Sequence, residues 1–200
     1  MRRALVMGAA LLWLVGCGGS VSDPSSATPG QHLACVAERP ADSMFTSEPG
    51  VGGFTLQVPR LPGWTQGQLE GASSPGFVLH RFEAPTADAE MGTATVTVNA
   101  YSPIENADAA LSTLRTLRAT GPGWQESRNE PIEVCGHRGL RVTGIEVTTG
   151  LGRQLDFLEF PYESGGSVYP IQVGSQLRVA DAARYEADLR TIFDGVRVGP

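Results

Sequence analysis

The residues of this 200-residue chain best suited to covalent or metal chemistry are its three cysteines and three histidines. Cys17 follows Leu14-Val15-Gly16 at the end of a short apolar run. Cys35 has His32 three residues before it, and Cys135 has His137 two residues after it. Two cysteines left over in an exported chain usually pair. A Cys35–Cys135 bridge would close a loop of about 100 residues, worth up to about 4.7 kcal/mol in the chain-entropy model. The same four side chains could instead form a Cys₂His₂ site, a ligand set that suits zinc or copper. Outside the cytoplasm nothing keeps such thiols reduced, and C-x-H is a less usual zinc spacing. The disulfide is therefore the expectation, and a metal-binding protein the alternative.

Other chemistries lack their residues. The remaining histidine, His80, stands apart, and no serine sits in a G-x-S-x-G elbow. H-E-x-x-H, C-x-x-C, the phosphate-binding P-loop and G-x-G-x-x-G are all missing. All 15 basic residues are Arg, so neither a Schiff-base lysine nor a P-loop lysine exists. A triad assembled from separated residues would still permit a hydrolase, but the expectation is a protein without catalytic residues or cofactor. Trp64 and Trp124 each follow Pro-Gly at the start of an extended piece. They are candidates to line the mouth of an apolar ligand site, or else to plug the two ends of the core.

The leader says where the chain works. Arg2 and Arg3 precede the twelve uncharged residues Ala4–Val15. About twenty apolar residues are needed to span a bilayer, so this run is a secretion signal rather than a membrane helix. Its exit, Leu-x-Gly-Cys, has the form of a bacterial lipobox: the Cys17 thiol is diacylated, and cleavage leaves Cys17 first. One acyl chain binds only reversibly, whereas two or more hold for practical purposes. The expected parts are a signal peptide (1–16), a tether rich in Gly, Ser and Pro (17–31) and a single domain (32–200, core about 50–198). The protein is expected outside the cytoplasm, anchored to the membrane by lipid. Loss of the leader removes Arg2 and Arg3 and no acid, leaving 13 basic and 21 acidic residues and a net charge of −8. That balance argues against nucleic acid and against electrostatic adhesion to anionic lipid.

The elements that must position these residues follow from periodicity. Phe54–Val58 and Phe77–Phe82 read as strands, 83–92 as a loop, and Ala94–Tyr101 as a strand with Ala94, Val96, Val98 and Ala100 inward. Tyr101, Thr95 and Thr97 share its other, solvated face. Residues 32–50 read as a short helix or irregular segment. Asn106 suits the N-cap of a helix with Ala107, Ala110, Leu111, Leu114 and Leu117 inward and Arg115 and Arg118 outward. Gly121-Pro122-Gly123 stops it. Strands resume at Trp124. Between Val142 and Ile145 the apolar parity changes, which predicts a β-bulge at Gly144. Residues 154–162 and 167–174 read as strands joined by Gly165-Gly166, with Pro170 predicting an edge or an irregularity. Asp181 is the expected cap of a last helix with Ala182, Tyr185, Leu189 and Ile192 inward. Strands, helix, strands, helix with short links imply α+β: a central, mainly antiparallel sheet covered by helices.

The lipobox resembles that of the LpqN/LpqT family of actinobacterial lipoproteins. So do Val58-Pro-Arg-Leu-Pro-Gly-Trp64, the strand and helix over 94–117, Gly123-Trp124, Gly136-His-Arg-Gly-Leu-Arg-Val-Thr-Gly144 and the closing strand and helix over 168–196. The resemblance covers nearly all of residues 50–198. It implies a PsbP-like α/β/α sandwich and a non-enzymatic envelope lipoprotein that binds lipid-like ligands or membrane transport proteins. Only Cys17, as lipid acceptor, carries over position for position.

Overall fold

The computed structural model describes residues 31–33, 43–47, 52–66, 76–84, 94–148 and 151–200. The first six strands are β1 (Gln31–Leu33), β2 (Met44–Thr46), β3 (Thr55–Pro59), β4 (Thr65–Gln66), β5 (Gly76–Ala84) and β6 (Ala94–Tyr101). Helix α1 (Ala107–Ala119) leads to β7 (Trp124–Val134), β8 (His137–Thr148), β9 (Leu151–Ser164) and β10 (Ser167–Arg178). A 3-10 turn over Val179–Asp181 opens α2 (Ala182–Asp194), and β11 (Arg197–Gly199) follows.

Eight strands form one sheet in the order β1-β7-β8-β9-β10-β6-β5-β4. Within it only β1 and β7 run parallel. A small sheet, β11-β3-β2, lies apart from it. This is the expected α+β class, a large mainly antiparallel sheet with helices against it.

Local chemistry explains the elements. β6 alternates buried and half-buried residues along its whole length, as one side facing a core requires. Ser164 pairs with Ser167 across Gly165 and Gly166, whose φ values of 57° and 78° are those of a two-residue turn with both residues left-handed. The β7–β8 turn has the same form, but Cys135 (φ 52°) occupies the first left-handed position, where a non-glycine side chain is disfavoured. Asn106 caps α1 as expected, its side-chain oxygen accepting from the Ala109 N–H at 2.9 Å.

Strand alternation assigns the faces. Leu158, Phe160, Ile171, Val173, Val96 and Val98 point to the side of α2 and the small sheet and form the main core with Leu189, Ile192, Phe193, Leu56 and Val58. Glu159, Gln172 and Val142 point to the other side, towards Ala110, Leu114 and Arg118 of α1. β10 is buried on both faces for that reason. Where α2 hands over to β11, a Cβ on Gly195 would lie 2.3 Å from Pro59 Cγ; only glycine lets helix and strand approach so closely.

Several local expectations are corrected. Within residues 32–50 the described part is extended over His32–Leu33 (β1) and Met44–Thr46 (β2), with Ser43 in a 3-10 turn and Ser47 outside any strand. Pro170 is on no edge: it lies opposite Pro161 in an inner strand, at the point where the pairing with β6 has ended at Ile171. Asp181 makes no capping bond; its carboxylate accepts from Arg178 Nε at 2.9 Å. The bulge is not on Gly144, which pairs regularly with Leu155. The extra residue is Ser127 on β7, between the pairs Glu126–Gly144 and Arg128–Thr143. Arg118 does not face water. It is 5% exposed, because it follows Leu114 by one helical turn on the inward stripe, and Glu159 receives it. Tyr101 is half-buried, its hydroxyl bonded to Gln172 at 3.1 Å.

Candidate functional site

The Ser127 bulge decides what β7 presents to each face. Glu126 and Arg128 would share a face in a regular strand. With the extra residue, Glu126 turns to the α1 side, where its carboxylate meets Arg118 Nη2 at 3.1 Å, and Arg128 pairs with Thr143 on the α2 side. There, between α2 and strands β7–β9, lies an open cleft of about 720 Å³.

Its floor is polar. Asp156 accepts from Thr143 Oγ1 at 2.6 Å and from Gln154 Nε2 at 2.9 Å. Its wall is charged, and every charge has a partner. Arg128 binds Glu130 at 2.6 Å, Arg141 binds Asp194 at 3.3 Å, and Arg190 binds Glu186 at 2.7 Å. The Arg128 hydrogen bond holds the Glu130 carboxyl below its ordinary value. The Arg141 guanidinium also lies over the Phe193 ring, 5.5 Å from its centre. Such a surface offers both donors and acceptors, with apolar edges from Ala182, Leu189 and Phe193. It suits hydrogen bonding to a polar group next to an apolar one. Among the described residues its lining contains neither histidine nor cysteine.

Under α1 runs a second, buried network. Tyr101 bonds Gln172, Gln172 Nε2 donates to Glu159 at 2.9 Å, and Glu159 accepts from Arg118, which also binds Glu126. Burial, and then the Glu159 charge, push the Tyr101 hydroxyl up to about 12. Closed by two helix-facing strands and α1, this network braces the sheet rather than opening to a ligand.

The two sequence-predicted tryptophans, Trp64 and Trp124, are not brought together. Trp64 is buried, its Nε1 donates to Asp188 at 2.8 Å, and its ring meets Tyr185 edge-on. Trp124 is half-buried on the opposite face, edge-on to Phe157 at 5.7 Å. Neither lines the cleft. Cys135 sits in the β7–β8 turn, and Cys17 and Cys35 both lie outside the described residues. The His137 ring packs edge-on to Tyr162 at 5.2 Å. The side chains of His32 and His80 lie outside the described part. Among the described residues no group of three His, Cys, Asp or Glu could hold a metal ion, and no helix is long and apolar enough to cross a membrane.

No protein-family profile and no curated protein matches the sequence. Solved structures do. LpqN of Mycobacterium tuberculosis, described as involved in cell envelope biogenesis, superposes with a TM-score of 0.63 at 15% identity, over 78% of this chain and 91% of LpqN. The chain has the LpqN fold. The cyanobacterial PsbP of Synechocystis aligns over 84% of this chain and 99% of its own, with a TM-score of 0.46 at 11% identity.

On the LpqN fold of this chain, the cleft residues Arg128, Arg141 and Asp156 were missed by sequence reasoning. Each comes from a different strand, and each reads in isolation as an ordinary surface charge. The parity change near Gly144 was the one available signal, since it marks the strand pair that carries the bulge.

Proposed function

We propose that this protein is an extracytoplasmic lipoprotein, held to the membrane through acyl chains on Cys17, that binds rather than transforms its partner. The cleft between α2 and the sheet takes a lipid-like ligand or a segment of an envelope transport protein. The observation that carries this reading is the cleft itself. It is open and rich in hydrogen-bonding groups, and its ion pairs and hydrogen bonds occupy the charges a catalyst would need uncommitted. The involvement of LpqN in envelope biogenesis agrees with the location read from the leader. In the same reading Cys135 pairs with Cys35. What supports this pairing is that Leu33, two residues before Cys35 in sequence, lies opposite Val134, the residue before Cys135.

Native mass spectrometry after mild extraction tests the binding role. The wild-type protein is expected to carry a ligand or partner, and Ala183→Trp, an exposed position on the cleft wall, to lose it. A cargo retained equally by both would remove the cleft from the account. Turnover of esters or peptides by the purified protein would replace binding by catalysis.

A further inference from the structure

Ile145, Val147 and Val179 are the large apolar side chains that stand exposed among the described residues, at 37%, 50% and 46%. They form one patch. Val147 lies opposite Gly152, and the space above Gly152 is filled by Val179, whose Cγ2 would be 3.3 Å from a Cβ placed there. Ile145 is two residues along the same face of β8. The patch sits at the far end of the β8–β9 pair, on the α2 side, next to Gln154 and Ala182 at the end of the cleft.

The way the chain enters the domain indicates what covers this patch. β1 runs parallel to β7 with Gln31 opposite Ile132. The N-terminal end of β1 is therefore the end that points along β7 towards Trp124. Ile145 is opposite Gln125 at that same end. From the level of Ile132 to that of Gln125 is about 20 Å at ~3.3 Å per residue. Gln31 is fourteen positions after Cys17, and a tether of that length and composition has an r.m.s. reach of about 20 Å. A tether continuing from Gln31 in that direction would bring an anchor at Cys17 to the same side of the domain as the patch, within one tether length of it.

We propose that Ile145, Val147 and Val179 form the membrane-facing end of the domain and rest on the bilayer interface that holds the acyl chains of Cys17. This rests on the anchor reading above. A patch of three aliphatic side chains is too small to bring an unanchored protein to lipid. The anchor makes the second contact intramolecular, at an effective concentration on the order of millimolar. With a net charge of −8 on the mature chain the contact is apolar, not electrostatic, and it brings the end of the cleft beside the bilayer.

The test uses the full acylated chain in phosphatidylcholine vesicles with and without brominated acyl chains. Intact mass first establishes that Cys17 is acylated. An unmodified Cys17 overturns the anchor and this orientation together. With the anchor confirmed, emission is compared for Val147→Trp and for Glu163→Trp at the opposite end of β9, each against the wild-type chain. Insertion at the depth of the headgroup boundary is expected to cost the indole at 147 roughly half its emission in brominated vesicles. That loss should persist in high salt, and position 163 should be unaffected. No quenching at 147, or equal quenching at both positions, overturns the proposal while leaving the anchor standing. So does quenching at 147 that appears only with an added protein partner.

Discussion

Arg118 and Glu159 show how a single pair holds α1 to the sheet. Both are buried, and breaking a buried pair leaves an uncompensated charge. Glu159→Ala leaves Arg118 with only the more exposed Glu126 opposite it, and the expected cost is about 3 kcal/mol in urea denaturation. The double change Arg118→Met, Glu159→Leu should recover most of it; a double variant as unstable as the single one would show that the pair is not what holds the contact. Tyr101 gives the same network a pH signature. Its folded-state value, raised from 10.0 to about 12, means that between these values the unfolded chain has lost the proton while the folded one keeps it. Stability is fully present below pH 10 and falls as pH rises towards 12. Thermal melts across that range should show the fall, and Tyr101→Phe should flatten it. The inward turn of Arg118 was not legible in the sequence. Helical spacing put it on the stripe, but an arginine at that position reads as an outer residue until its partner, 41 residues away, is seen.

Among the elements, β7 carries the most decisions. Its outer edge over 124–131 meets no described strand, β1 covering only Ile132–Val134. The exposed stretch carries Glu126, Arg128 and Glu130, the Ser127 bulge and Pro131, the devices that keep an edge from recruiting another chain. Replacing Arg128, Glu130 and Pro131 together by Val should raise self-association in light scattering at unchanged fold. A variant that stays monomeric would show that something else guards the edge. The β7–β8–β9 stack is also tight: a Cβ on Gly139 would lie 2.5 Å from the Glu159 carbonyl oxygen. Gly139→Ala is expected to cost about 1–3 kcal/mol, read as a lower denaturation midpoint. Alternation made β6 legible and the Asn106 cap marked α1, because both signals are local. The bulge was placed on the wrong strand because Ile145 and Val147 change parity by being exposed, and a pattern on one strand cannot tell exposure from a slip in register. β1 and β11, three residues each, are too short to announce themselves.

At the scale of the whole molecule, the sequence supplied an address and a fold class, and the structure supplied the cleft. The α+β order followed from short links and turn residues, and the LpqN fold agrees with it. The cleft had no local signature, since its walls come from β7, β8, β9 and α2 and only the twist and bulge of the sheet bring them to one place. What would make these parts one device is the proposed lipid on Cys17, which would put the domain, its cleft and its apolar end at a membrane. The most direct test is the intact mass of the mature polypeptide extracted from membranes. The account predicts a chain that begins at Cys17, carries acyl groups on that residue and is lighter by two hydrogens than its reduced form, as a Cys35–Cys135 bridge requires. An unacylated chain with residues 1–16 still attached would contradict it.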